Sequence, residues 1–269
     1  MVKANQWRSG ACLICLFTSA AASGWGQEIR RVEPITTDRP TAGPSPDLVP
    51  AGALQVETGV GLSLQRSVWA TDLPETLLRV GITHAFEVRF LSSDLVHQGD
   101  PTQHEPSWQT TDVTASVKLL TGHANGLWPK SVILAVSFPT GGAAWTSGSI
   151  DPGFAATWTQ TTHSGFFLNE VAQVTLTTDG HARRPLWSPS VATGRALSSR
   201  LTCFAEFAPS VLPDESVPSV TDGGFTYTPT EAQQIDLRVG FASDKAGQHT
   251  LLTAGYSFRR LPFLPGHAR

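Results

Sequence analysis

Histidine and cysteine are the residues most able to ligate metal or attack a substrate, and here their spacing supports neither role. The eight histidines are scattered, with no HExxH pair and no Cys–His spacing suited to zinc. No G-x-S-x-G turn presents a serine nucleophile. His97 and His104 share a stretch with Asp94, Asp100 and Glu105, which reads as a solvated loop. "SFPTGG" at 137–142 lacks the lysine of a phosphate loop. No catalytic residue, cofactor or metal ligand is assigned, and the sequence is read as that of a non-enzyme.

The charged residues are spaced more regularly. Arg79 lies between Leu78 and Val80, and Glu87 and Arg89 alternate with Phe86, Val88 and Phe90. Lys118 separates Val117 from Leu119, and Asp236 and Arg238 alternate with Ile235, Leu237 and Val239. Glu57 and Glu206 hold equivalent positions in their own alternating stretches. These eight charges therefore share faces opposite apolar stripes. In a membrane barrel they must face the lumen, because an Arg or Lys facing lipid at mid-bilayer costs about 2–4 kcal/mol. Two uses follow: a charged lining that selects solutes, or a salt-bridge network that fills a narrow barrel.

The elements that position them are strands. Strict alternation, as in Leu54, Val56, Val60, Leu62 and Leu64 against Gln55, Glu57, Gly59, Gly61 and Ser63, is a period-two pattern. Such segments recur near 53–64, 75–82, 85–93, 111–120, 130–138, 152–160, 164–176, 186–197, 200–208, 223–230, 234–243 and 248–258. The expectation is an all-β fold, a closed antiparallel transmembrane β-barrel of about twelve strands. Links after the second, sixth, eighth and tenth segments are short, whereas those after the first, third, fifth and ninth are long and polar. That asymmetry suits a barrel with short turns on one rim and long loops on the other. The link "TGHANGLWPK" after the fourth segment breaks the rule. Trp69, Trp128, Trp158 and Trp187 fall near segment ends, where rings settle at a membrane interface, while Trp108 and Trp145 read as loop residues.

Composition agrees. Charged residues make up 15% of the chain, below the roughly 25% of soluble domains, yet mean hydropathy is only -0.07. A net charge of -3 with no basic patch argues against nucleic acid. Lys3 and Arg8, the apolar run Ala11–Ala22 and the small residues after it read as a signal peptide at 1–22. Cys203 is then the one thiol left, so no internal disulfide is expected. Residues 23–52, with Pro34, Pro40, Pro44, Pro46 and Pro50, read as an extended periplasmic lead-in, followed by the barrel at 53–258 and a tail at 259–269.

Several motifs taken in order carry a family resemblance. "ITTDRP" (35–40), "VPAGALQVETGVGL" (49–62), "TLLRVGIT" (76–83), "FEVRF" (86–90), "SFPTGG" (137–142), "DPGFAATW" (151–158) and "GGFTYTPTEAQQIDLRVGF" (223–241) resemble the outer-membrane barrels linked to the meta-pathway of phenol degradation. The stretch 181–199 departs from the pattern, and eleven residues follow Phe258, the aromatic on which such barrels end. The resemblance implies a bacterial outer-membrane transporter or channel for small, aromatic or hydrophobic compounds, and it supplies no catalytic residues. The partners implied are outer-membrane lipid, a small-molecule solute, the barrel-assembly machinery and periplasmic chaperones. About twelve strands leave too little bore for a wide general porin. A structural or adhesive barrel with a filled lumen, or a membrane-embedded enzyme, remain the alternative readings.

Overall fold

Alternation places the apolar stripes outside. Val60, Val88, Leu134, Leu237 and Phe241 are exposed, while Gln55, Glu57, Arg79, Glu87 and Lys118, from the opposite faces, are fully buried. A fold with apolar residues outside and charges inside is one solvated by lipid. The computed structural model describes residues 33–65, 68–99, 107–179, 182–212, 218–244 and 247–264. The signal peptide expected at 1–22, the start of the lead-in at 23–32 and the end of the tail at 265–269 lie outside the described residues.

The first strands are β1 (Leu54–Gln65), β2 (Val68–Thr83), β3 (Phe86–Leu91), β4 (Leu95–Gly99) and β5 (Ser107–Thr110). They are followed by β6 (Val113–Leu120), β7 (Ser131–Phe138), β8 (Asp151–Thr161), β9 (Phe166–Asp179) and β10 (Ala182–Trp187). The last are β11 (Ser190–Ala196), β12 (Leu201–Pro209), β13 (Ser219–Thr230), β14 (Gln233–Asp244) and β15 (Gly247–Arg260). Each pairs antiparallel with its neighbours, and β1 pairs with both β2 and β15, from Leu54 opposite Arg260 to Leu64 opposite Thr250. That last pairing closes the sheet and removes the edges that hydrocarbon would leave unsatisfied. Both β3 and β4 pair with β2, β5 continues the line of β6, and both β10 and β11 pair with β9. Each of these couples is one interrupted wall strand, so the barrel has twelve strands. Ser188 and Pro189 make the break between β10 and β11, since proline brings no N–H to a ladder.

Three local expectations need correction. The long polar link read at 65–74 is largely strand, because β2 starts at Val68 and pairs with β1 and then β4. Trp108 belongs to β5, where it stacks on His97 with ring centroids 3.9 Å apart. The anomalous link at 121–130 folds over its neighbour. The Asn125 N–H donates to the Thr159 carbonyl (2.9 Å), Asn125 Oδ1 accepts from the Thr161 N–H (2.7 Å), and Trp158 Nε1 donates to the Leu127 carbonyl (3.3 Å). Its length extends β8 at the short-turn rim.

The proline-rich segment 33–50, expected as part of a periplasmic lead-in, runs instead inside the barrel, where inward wall charges bind it. The Ile35 N–H donates to the Glu231 carbonyl (2.8 Å) at the short-turn rim. The chain then crosses the lumen and returns, so that the Gly52 N–H meets the Gly81 carbonyl (2.8 Å) at the same rim. A Cβ on Gly81 would overlap the Val49 and Pro50 carbonyl oxygens, so β2 admits the returning chain only because it has none. With five prolines from Pro34 to Pro50 the segment can form neither helix nor ladder, and its polar backbone groups bond to barrel side chains instead.

Candidate functional site: the plugged lumen

Cross-strand register puts Arg79 of β2 directly opposite Arg89 of β3, an arrangement that is repulsive by itself. The inner segment resolves it. Asp38 pairs with Arg79 (3.1 Å), with Arg89 and with Lys118 (3.5 Å). Arg79 also bonds Glu57 (2.9 Å), Glu87 (2.7 Å) and the Asp47 carbonyl (2.8 Å). Burial alone would raise the Asp38 carboxyl, but the charges of Arg79, Arg89 and Lys118 outweigh it and hold Asp38 well below the ordinary carboxylate range. Wall acids grip the backbone of the segment: Glu57 accepts the Asp38 (2.8 Å) and Arg39 (3.0 Å) N–H groups, and Glu87 accepts that of Val49 (2.7 Å). Lys118 Nζ donates to the Ser45 (2.8 Å) and Asp47 (3.0 Å) carbonyls. Glu57, Arg79, Glu87, Arg89 and Lys118 thus form one network, with Asp38 at its centre.

Glu206, Asp236 and Arg238 do not join that network. Glu206 accepts the N–H groups of Ala42 (2.7 Å) and Gly43 (3.2 Å) at the tip of the inner segment. Asp236 faces Arg39 (3.5 Å), which also pairs with Glu75. Arg238 pairs with Asp222 (2.6 Å) on β13. A Cβ on Gly59 or Gly255 would strike the Arg39 guanidinium, so these two glycines make the room that lets it lie flat on the wall.

Two cavities flank the tip. The larger, about 450 Å³, lies toward the rim of long loops and includes Arg89, Asp94 and Arg238 together with Leu77 and Ile133. The smaller, about 200 Å³, lies against β9, β11, β12 and β13 and includes Phe167, Asn169, Ala192, Thr202 and Phe204. Residues Arg39 to Thr41, Gly43 and Pro44 border both, so one turn separates the two spaces.

A family model described as "Putative MetA-pathway of phenol degradation" matches residues 37–260. The chain belongs to this family. Among solved structures, an outer membrane channel from Pseudomonas putida F1 is similar over 82% of this chain and 100% of its own, with 12% identity and a TM-score of 0.60. The NanC porin (9% identity, 76% and 98% covered, TM-score 0.53) and the beta domain of the Bordetella autotransporter BrkA (11%, 77% and 99%, 0.52) share the architecture. At such identities the likeness is one of fold, and the fold is that of an outer-membrane β-barrel. No curated protein matches the chain in sequence.

The family match begins at Thr37, inside the plug, and so takes in its charged residues. Sequence reasoning assigned charges only to the alternating strands and passed over Asp38, Arg39, Asp47, Glu75 and Asp222. The overlooked signal was "TDRP" itself: an acid and a base side by side in a proline-rich segment, followed by strands whose inward charges needed partners. Asp222 was missed because Gly223 and Gly224 blur the alternation in β13.

Proposed function

We propose that this family member is a selective channel for passive passage of small, aromatic or hydrophobic compounds across the bacterial outer membrane, and not an enzyme. The observation that carries this reading is the pair of cavities meeting at a single turn, which divides the lumen without filling it. The inner acids are tied to arginine, lysine or backbone N–H groups, an arrangement suited to holding the plug. In this reading residues 1–22 are a signal peptide, the short-turn rim faces the periplasm, and the barrel-assembly machinery and periplasmic chaperones deliver the chain. Flux through the purified protein in liposomes tests it, with small phenolics expected to pass and sugars to be retained. No flux of either would favour a structural barrel, the reading to which the dense ion pairing around Asp38 gives support.

A further inference from the structure

We infer that the smaller cavity is a binding subsite for neutral monocyclic aromatics bearing a hydroxyl group, a step that rests on the channel reading and names its selective element. Two phenyl rings, Phe167 on β9 and Phe204 on β12, line this space from the barrel wall. Their placement runs against the pattern of the barrel, since Phe90, Phe138, Phe154, Phe207, Phe225 and Phe241 are all exposed on its outer face. Phe204 is only 8% exposed, and Phe167 lies so close to β11 that a Cβ on Gly194 would meet its ring. The Phe167 ring thus packs directly on Gly194, and the cavity lies beside it, against Ala192 of β11, which is small where the rings are large. Aromatic faces and edges favour an aromatic guest in stacked or edge-on contact.

The polar groups fix what that guest carries. Among the described residues the Asn169 side chain has no hydrogen-bond partner, and its amide offers both a donor and an acceptor to one hydroxyl. The charged groups at the margin are already engaged. Glu206 accepts two backbone N–H groups, Asp47 pairs with Lys130, and Arg39 pairs with Glu75. An ion entering here would find no free counter-charge and would lose its hydration uncompensated. Size sets the other bound. A cavity of about 150 Å³ accommodates benzene, so 200 Å³ admits one ring with a substituent and excludes larger ring systems. The cavity also shares the turn at 39–44 with the larger one, so a solute crossing the lumen passes from the charged space into this one.

The test uses the purified, folded protein in detergent, with calorimetric titration of phenol, benzene, cyclohexanol and benzoate. Phenol should bind best, benzoate should not compete, and benzene should bind about three- to tenfold more weakly than phenol, the worth of one hydrogen bond. Asn169→Leu should abolish the preference for phenol over benzene while leaving benzene binding intact. Ala192→Phe should fill the space and remove binding of both. Each variant is first checked for the gel-mobility shift of a folded barrel, and Thr202→Val serves as a second probe of the same wall if Ala192→Phe does not fold; it should weaken phenol without affecting benzene. Phenol binding unchanged in both Asn169→Leu and the wall variant, or benzoate binding as well as phenol, would overturn the assignment. Liposome flux separates this inference from the reading beneath it. Phenol flux indifferent to Asn169→Leu and to the wall variant sinks the subsite and leaves the channel standing. Normal binding with no flux sinks the channel and leaves the subsite.

Discussion

The two sides of the lumen obey one rule of alternation and yet have opposite interiors. On β1, β2, β3 and β6 the inward positions include Gln55, Glu57, Arg79, Glu87, Arg89 and Lys118, all buried and all bonded to the plug. On β9, β11 and β12 they include Phe167, Asn169, Val171, Ala192, Thr202 and Phe204, and among the described residues the plug hydrogen-bonds to that side through Glu206. The first wall grips and the second leaves space. A plug held on one side can be stable and still leave a route along the other, which a symmetric network could not do.

The sharpest way to break this contrast is to weaken the grip. Arg79 is fully buried with Glu57, Glu87 and Asp38 around it. Removing one partner of a buried pair leaves uncompensated charge and costs about 3–5 kcal/mol, so Arg79→Leu should lower stability by that much in urea unfolding. Thr202→Val on the open wall should change it by no more than about 0.5 kcal/mol. Equal effects would mean that the plug is not gripped from one side. Glycine substitutions sharpen the comparison at a smaller scale. A Cβ on Gly81 would meet the plug backbone, whereas one on Gly43 would meet the side chains of Ser190 and Val171, which can rotate away. Gly81→Ala should therefore cost about 1–3 kcal/mol, as overpacking does. Gly43→Ala should cost distinctly less, and thermal unfolding of the pair measures the difference.

The contrast was half legible in the sequence. Alternation around Arg79, Glu87, Arg89, Lys118, Asp236 and Arg238 located the strands and their charged faces, because a side chain in a strand must take one face or the other. The plug was not legible in the same way. Proline excludes helix and ladder but does not say where an extended segment goes, and the partner of an inward arginine is chosen by tertiary placement. The two-arginine pairing of Arg79 and Arg89 becomes visible only once register is known, since a shift of one residue would separate them. Phe167 and Phe204 were hidden for a related reason. In "GFFLNEV" Phe166 and Phe167 sit side by side, and composition cannot tell the ring facing lipid from the ring facing the lumen.

On the open side the hydrogen-bonded tie at Glu206 can be loosened without disturbing the grip. Glu206 accepts two N–H groups as a carboxylate, whereas a glutamine offers a neutral acceptor. Hydrogen bonds to charged groups are worth about 1.5–3 kcal/mol against about 0.5–1.5 for neutral ones, so Glu206→Gln should cost about 1–2 kcal/mol. Because the Ala42–Gly43 tip borders both cavities, single-channel conductance in planar bilayers should rise with it. A stable variant with unchanged conductance would show that the tip does not limit passage.

The smallest expected effect comes from acid, acting on the gripped side through Asp38. Its folded carboxyl lies below the unfolded value of 3.8 because Arg79, Arg89 and Lys118 outweigh the opposing effect of burial. Stability from this group is therefore complete above that value and is lost as pH falls from it toward the folded value. One pH unit corresponds to about 1.4 kcal/mol, so by about pH 3 only ~1 kcal/mol should have gone. Asp38→Asn starts less stable but lacks the titrating group. Between about pH 5 and pH 3 wild type should therefore lose ~1 kcal/mol more than the variant in denaturant unfolding. Equal losses would place the acid sensitivity in other carboxylates and deny Asp38 its central position. A larger loss in wild type, together with rising conductance, would show that the gripped wall, and not the Glu206 tie alone, keeps the turn between the cavities.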